Sequence, residues 1–349
     1  MSRRRSPPPV IDPVAACPKA MTFGPCGGVD PDGGCEVDRR RCPFLDRPLR
    51  TAPPSEGAAT SGPATRRVVV DFRPSPGWSA GLDADLADRY REAGDGTALL
   101  VGEHVDDTHG LGVAEHARRL RDRFGLPMLI TLTGRNRTIR EAERELDELA
   151  GVGVAAVHCV TGDHPAARFG PGHGADFGLD SQQLVALAAV RGLATTVAES
   201  PAAPPLEFRP LRILNKQRAG AGAVVLNHAG ETGPLKHFAR RCRDAGVTAP
   251  LIAPVPLVSD AESVRRLARL PGLLLDPEVA SAVLNSPDPT AEGRRQAVAC
   301  ARRLLTEDGV DPGAFAGVNL SGVGPTDPLA RADFTVGIVQ ELGPLDPSG

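Results

Sequence analysis

Eight short apolar segments, each followed by an amphipathic stretch, constrain most of what this chain can become. They are Arg67–Phe72, Thr97–Val101, Pro127–Thr131, Val154–Val160, Leu193–Val197, Gly222–Leu226, Ala249–Ala253 and Ala314–Val318. Continuous apolar runs without polar alternation are the pattern of strands buried on both faces of a parallel sheet. Between them, Leu82–Ala93, Gly112–Phe124, Thr138–Ala150, Ser181–Val190, Leu235–Ala245, Ser259–Leu267 and Ala291–Leu305 are expected as helices. In the third, Arg140 and Arg144 with Glu141 and Glu145 mark charged faces at helical spacing, and Leu146 and Leu149 mark an apolar one. Gly94, Gly125, Gly151, Gly192 and Gly246 stand where C-terminal caps belong. Eight such units over about 280 residues predict an α/β protein of the (β/α)8 TIM-barrel type. An open doubly wound sheet is the alternative. No GxGxxG follows the first strand and no GxxxxGK[ST] occurs anywhere, so neither nucleotide-binding fingerprint supports it.

In a barrel of this kind, chemistry collects at the carboxyl ends of the strands. Those ends carry Asp71 and Arg73, Glu103 and His104, Thr131 and Thr133, then Thr161, Asp163 and His164. Glu199, Asn227, His228, Asn319 and Ser321 complete the ring. Asp71, after three valines, is either a proton donor at the barrel mouth or a structural residue, an N-cap or the partner of Arg73 in an ion pair. Asp163 follows the run Val154–Val160 and is either a floor contact of the site or a turn residue. His158, in mid-strand, is expected to be a hydrogen-bonded core residue rather than a base. Lys216 and Arg218, on a helix before Gly220, either reach a phosphate or, on the plainer reading, line a solvated face. No Ser-His-Asp spacing and no HExxH motif is present.

Seven cysteines are unevenly spread: Cys17, Cys26, Cys35 and Cys42 crowd the N-terminal region, and Cys159, Cys242 and Cys300 are scattered. The scattered three read as core residues, and an odd total argues against a disulfide framework. The first four, among Gly and Pro turns, have the density of a metal knot, for either tetrahedral zinc or a [4Fe–4S] cluster. Intervals of eight, eight and six residues exceed those of CxxC pairs and favour iron–sulfur; unligated thiols are the alternative. Residues 1–16 are Arg- and Pro-rich and expected to be disordered, and Thr51–Thr65 has the composition of a linker. The expected division is therefore a cysteine module over 1–50, a linker over 51–66 and a barrel over 67–349. Net charge is −3, which points away from nucleic acid and acidic membranes as partners. No apolar run approaches the roughly 20 residues of a membrane span, and no hydrophobic leader follows the basic start. A cytoplasmic location is expected.

Several stretches together resemble the flavin-dependent methylenetetrahydrofolate reductases. Asp122-Arg-Phe-Gly-Leu-Pro-Met-Leu-Ile-Thr-Leu-Thr133 resembles the family's strand ending His-Leu-Thr. Gly153–Pro165 resembles its strand ending Arg-Gly-Asp, and Gly246–Asp260 its Pro-Ile-Leu-Pro-Val-Ser turn, within a similarity running from Val68 to Gly343. The Cys-Pro-Lys, Phe-Gly-Pro-Cys-Gly-Gly and Gly-Gly-Cys-Glu-Val pieces, with the final Cys42, resemble a cysteine-rich module that accompanies such reductases in many bacteria and acetogens. There it is associated with an iron–sulfur or zinc site.

The resemblance implies a (β/α)8 barrel that uses FAD to reduce 5,10-methylenetetrahydrofolate to 5-methyltetrahydrofolate. It places the general acid on Asp71, one methylene shorter than the family's Glu, and the flavin-tuning acid on Asp163. Gly162 is kept, with Thr161 in place of Arg. Thr131 replaces the flavin-strand His, while Thr133 keeps the following Thr. Lys216 keeps one basic residue of the phosphate-binding helix, with Asn215 in place of its Arg neighbour. Asn227 takes the place of the folate-binding Gln. The Tyr and His that bracket the flavin have no counterpart in Val197–Pro201. The C-terminal folate-contacting Tyr and Arg also lack one, leaving Asn319 nearby. The implied partners are a folate substrate and either an electron-donor protein or NAD(P)H, with a homo-oligomer as the assembly. Other readings are a flavin-independent folate enzyme or folate-binding protein, and a non-catalytic partner subunit of a reductase.

Overall fold

The computed structural model describes residues 12–46, 67–74, 80–94, 96–105, 112–270, 273–305, 314–322 and 324–343. Its strands are β1 (Arg67–Phe72), β2 (Thr97–Val101), β3 (Met128–Thr133), β4 (Ala156–Val160) and β5 (Thr195–Glu199). Then follow β6 (Ala223–Leu226), the short β7 (Ala229–Gly230), β8 (Leu251–Leu257), the short β9 (Leu274–Leu275) and β10 (Gly317–Gly322). Eight of them close in the order β1-β10-β8-β6-β5-β4-β3-β2, all parallel, while β7 and β9 form a separate two-stranded lip. Pairing of β1 with β10, Val69 opposite Asn319, seals the barrel and removes the open-sheet alternative. All eight expected strands are present. The last two run further than expected, because apolar pattern alone ended one before Pro254 and Pro256 and started the other too early.

Alternation along the strands sorts the side chains. Val68, Val70, Phe72, Leu99 and Val101 face outward into the main core beneath the helices. Val69, Ala98, Leu100, Leu129, Ala156, Val225 and Ile252 face inward and plug the barrel. Each fully buried Val, Leu or Ile there contributes about 1.5–3 kcal/mol over exposure. Two residues beyond members of the plug come Asp71, Thr131, His158 and Asn227, so the interior turns polar towards the carboxyl ends. That switch, set by strand period alone, makes the site.

Helices follow the strands at 80–91, 113–124, 139–150, 181–189, 209–218, 232–244, 261–268 and 328–342. Helices 277–285 and 289–305 also precede β10. Thr138 opens helix 139–150 with a capping box, its hydroxyl accepting from the Glu141 amide and Glu141 reaching back to the Thr138 amide. Gly94, Gly125, Gly192 and Gly246 take the left-handed conformation expected of C-terminal caps; at Gly151 the backbone stays right-handed, and Gly153 makes the turn.

Within the N-terminal region, Pro13–Ala16 is a helical turn capped by Asp12, not the disorder expected up to residue 16. Residues 1–11 of that segment and the expected linker Thr51–Thr65 lie outside the described residues. Residues 12–46 fold around Met21, Val29, Cys42 and Phe44, with bridges Val29–Cys35 and Gly34–Arg41. Among the described residues, no helix is long and apolar enough to cross a membrane.

Candidate functional site

At the β1–β10 seam, Asn319 donates to Asp71 Oδ1 at 3.0 Å, and the Ser321 hydroxyl and the Gly322 amide also donate to the Asp71 carboxyl. His228 Nε2 lies 2.7 Å from Ser321 Oγ, extending the chain to His228–Ser321–Asp71–Asn319. Burial raises the Asp71 carboxyl to about 6, against the pull of those three donors. A carboxyl at that value exchanges its proton near neutral pH, which suits a general acid. The amide oxygen of Asn319 is buried and has no partner, an acceptor that calls for a donor. Beside Asp71 a depression is lined by Phe72, Arg73, Leu86, Tyr90, Pro328 and Arg331.

On the opposite side, His158 Nδ1 sits 2.9 Å from Thr196 Oγ1, and burial lowers its pKa to about 4, so the ring is neutral. It is the hydrogen-bonded interior residue expected. Thr131 pairs in register with His158 inside the barrel. Thr133 is committed locally: its amide donates to Glu103 at 3.0 Å, and its hydroxyl and carbonyl accept from Arg137, which also bonds Glu103 and Glu145. Gly162 adopts φ +93 with Thr133 against it, so a Cβ there would be both strained and crowded. Thr161 accepts from the Ser181 amide. Asp163 is exposed, its carbonyl accepts from Arg135, and Lys19 of the N-terminal module lies within electrostatic reach. Asn227 donates to Ser200 Oγ at 2.9 Å.

Two expected ring members go elsewhere. His164 caps the turn at Pro165 and stacks on Phe177. Glu199 pairs with Arg209 at 3.0 Å, Lys216 at 2.9 Å and Arg212 at 3.4 Å, all four buried. Lys216 is therefore not on a solvated face, although Arg218 is exposed. Its ammonium is taken by Glu199 and the Ala198 carbonyl and presents no open side to a phosphate. The three cations hold the Glu199 carboxyl well below the usual range despite its burial. Arginines on a helix ordinarily read as surface; the signal for Arg209 and Arg212 is their stripe with Lys216 on the first long helix after the strand-end Glu199. At this position the residues do not fit an FAD pyrophosphate.

Cys17, Cys26, Cys35 and Cys42 are free thiols around one small apolar core, and burial raises Cys17, Cys35 and Cys42, the last to about 11. Among the described residues, no group of three or more His, Cys, Asp or Glu side chains is arranged to hold a metal ion. Lys19 and Glu36 form a buried pair beside this core.

The family model described as methylenetetrahydrofolate reductase matches residues 101–309. A second, described as methylene-tetrahydrofolate reductase C terminal, matches residues 9–52, the cysteine region. A comparison with curated proteins returned no match. Among solved structures, the chain is similar to an uncharacterized protein from Clostridium thermocellum described as binding two copies of 5-methyl-5,6,7,8-tetrahydrofolic acid. The TM-score is 0.54 at 11% identity, over 81% of this chain and 96% of that one, a likeness of fold. With well over half its length matched by the first model, the chain belongs to the methylenetetrahydrofolate reductase family.

Proposed function

We propose that the carboxyl end of the barrel binds a reduced folate, and that Asp71 delivers the proton when a methylene unit on it is reduced to methyl. Going from 5,10-methylenetetrahydrofolate to 5-methyltetrahydrofolate, a hydride adds to the methylene carbon, the bond from that carbon to N10 breaks, and N10 takes a proton. Asp71 supplies that proton. The hydride comes from outside the chain, from a reduced nicotinamide, and no step runs through a flavin. The observation that carries this reading is the Asp71–Asn319 pair: a carboxyl raised to about 6 beside a buried amide oxygen lacking a donor. A pterin, rich in N–H groups, satisfies such an acceptor. Family membership and the folate ligand described for the Clostridium thermocellum protein support the ligand class.

The test is equilibrium binding of 5-methyltetrahydrofolate to the full chain, followed by anaerobic turnover of methylenetetrahydrofolate with NADH or NADPH. Saturable binding that weakens about tenfold or more in Asn319→Ala is expected, from the loss of a buried polar contact. Asp71→Asn should keep binding and lose turnover by about 10²-fold or more. No saturable folate binding would reject the reading, while binding without turnover in the parent chain would leave a folate-binding protein.

A further inference from the structure

Arg209, Arg212 and Lys216 fall on one face of helix 209–218, at intervals of three and four residues. One carboxylate, Glu199, serves all three. Buried cations need an acceptor for each N–H, and one carboxylate cannot supply them all. Main-chain carbonyls make up the difference. Arg209 donates to Ala203 and Pro204, both at 2.6 Å, and across to Cys26 at 3.0 Å and Pro25 at 3.5 Å. Arg212 reaches Phe23 at 3.5 Å. Phe23, Pro25 and Cys26 form one turn of the cysteine module, so that turn supplies acceptors to cations belonging to the barrel, although Arg212 Nε still has no hydrogen-bond partner. Gly27 follows immediately and is seated so closely that a Cβ would collide with the Ser200 hydroxyl. Ser200 in turn accepts from Asn227.

We propose that this stripe is a docking clamp: Glu199 and the carbonyls of the Phe23–Cys26 turn take the place of an anion, and the cysteine module is held as a fixed roof beside β5 and β6. The module and a cofactor phosphate then exclude one another, because both require the same cations. The family resemblance assigns Lys216 to flavin phosphates; here, admitting one requires Glu199 to move aside and the module to lift. The roof also meets Ser200, the partner of Asn227, so its seating shapes that side of the barrel mouth. This inference stands apart from the folate reading, and neither fails with the other.

Hydrogen exchange on the full chain, read at the amides of residues 17–45, tests it. Arg209→Met removes the charged grip while keeping bulk, and Gly27→Ala pries the turn off Ser200 without altering charge. In each variant, exchange across the module should accelerate about tenfold or more, the scale of losing a hydrogen bond to a charged group, with β3 and β8 still protected. If one variant does not fold, the other decides. Unchanged module exchange in a folded variant overturns the clamp. FAD titrated into the parent chain should give no saturable flavin-fluorescence change; saturable binding with the module amides still protected overturns mutual exclusion.

Discussion

Asp71 and Arg209 mark the two extremes of legibility among single residues. Asp71 is readable because an acid directly after Val-Val-Val falls near the end of a buried strand, and strand ends in a barrel face the site. Arg209, fully buried, is far less so: its stripe with Arg212 and Lys216 also fits a solvated helix face, and the carbonyls it bonds lie 183 and 184 residues away. Asp71 also carries a prediction of sign. Its folded-state pKa of about 6 lies above the ordinary 3.8, so its contribution to stability is present below about pH 4 and lost as pH rises through 6. At pH 7–8 the ionised carboxyl is a burden, and Asp71→Asn should raise stability by about 1–3 kcal/mol. Urea unfolding at pH 7.5 checks this; a variant less stable than the parent would mean that the carboxylate is favourably held in the folded protein. A gain in stability together with a loss of turnover would show strain kept for chemistry.

At the scale of elements, period and apolarity revealed all eight barrel strands, and errors came where a residue's rule has an exception. β8 contains Pro254 and Pro256, which ordinarily end a strand. It pairs with β6 only through Leu251 and Ile252, whereas its pairing with β10 continues to Leu257. The Leu251 and Leu257 carbonyls accept from Ala316 and Gly324, on the β10 side, so the intervening even-numbered residues point their backbone groups towards β6. The two missing amides thus fall where no ladder remains to be completed. Gly293, inside helix 289–305, breaks a rule in the other direction. A helix-interior glycine usually gains about 0.5–1 kcal/mol on becoming alanine. Here a Cβ would collide with the Val258 carbonyl at the end of β8, which cannot withdraw without disturbing the strand. Gly293→Ala is expected to destabilise by about 1–3 kcal/mol. A melting temperature at or above that of the parent would show that the helix can shift away from β8 at no cost.

For the molecule as a whole, closure of the barrel sets how stability responds to acid, because it buries groups of opposite tendency in one interior. His158 and His228 are both lowered to about 4 by burial. Between pH 6.5 and 4 the unfolded chain binds protons that the folded rings refuse, so each histidine withdraws up to about 3 kcal/mol as pH falls through that window. Asp71 works the other way, returning up to about 3 kcal/mol as pH falls from about 6 towards 3.8. Glu199, depressed by its three cations, keeps its contribution until pH falls below its ordinary 4.5. Two histidines outweigh one aspartate, and the carboxylate cluster is silent until the end of the range. Stability should therefore drop by about 3 kcal/mol between pH 7 and pH 4.5, then more steeply as Glu199 is protonated. Guanidinium unfolding at those two pH values measures it directly. A flat profile would require His158 or His228 to accept a proton within the folded barrel, with water or a rearranged Thr196 or Ser321 to stabilise it. Water at His228 would then reach Asp71 through Ser321 and undo the desolvation that raises its pKa, and the proposed role as proton donor would lose its support.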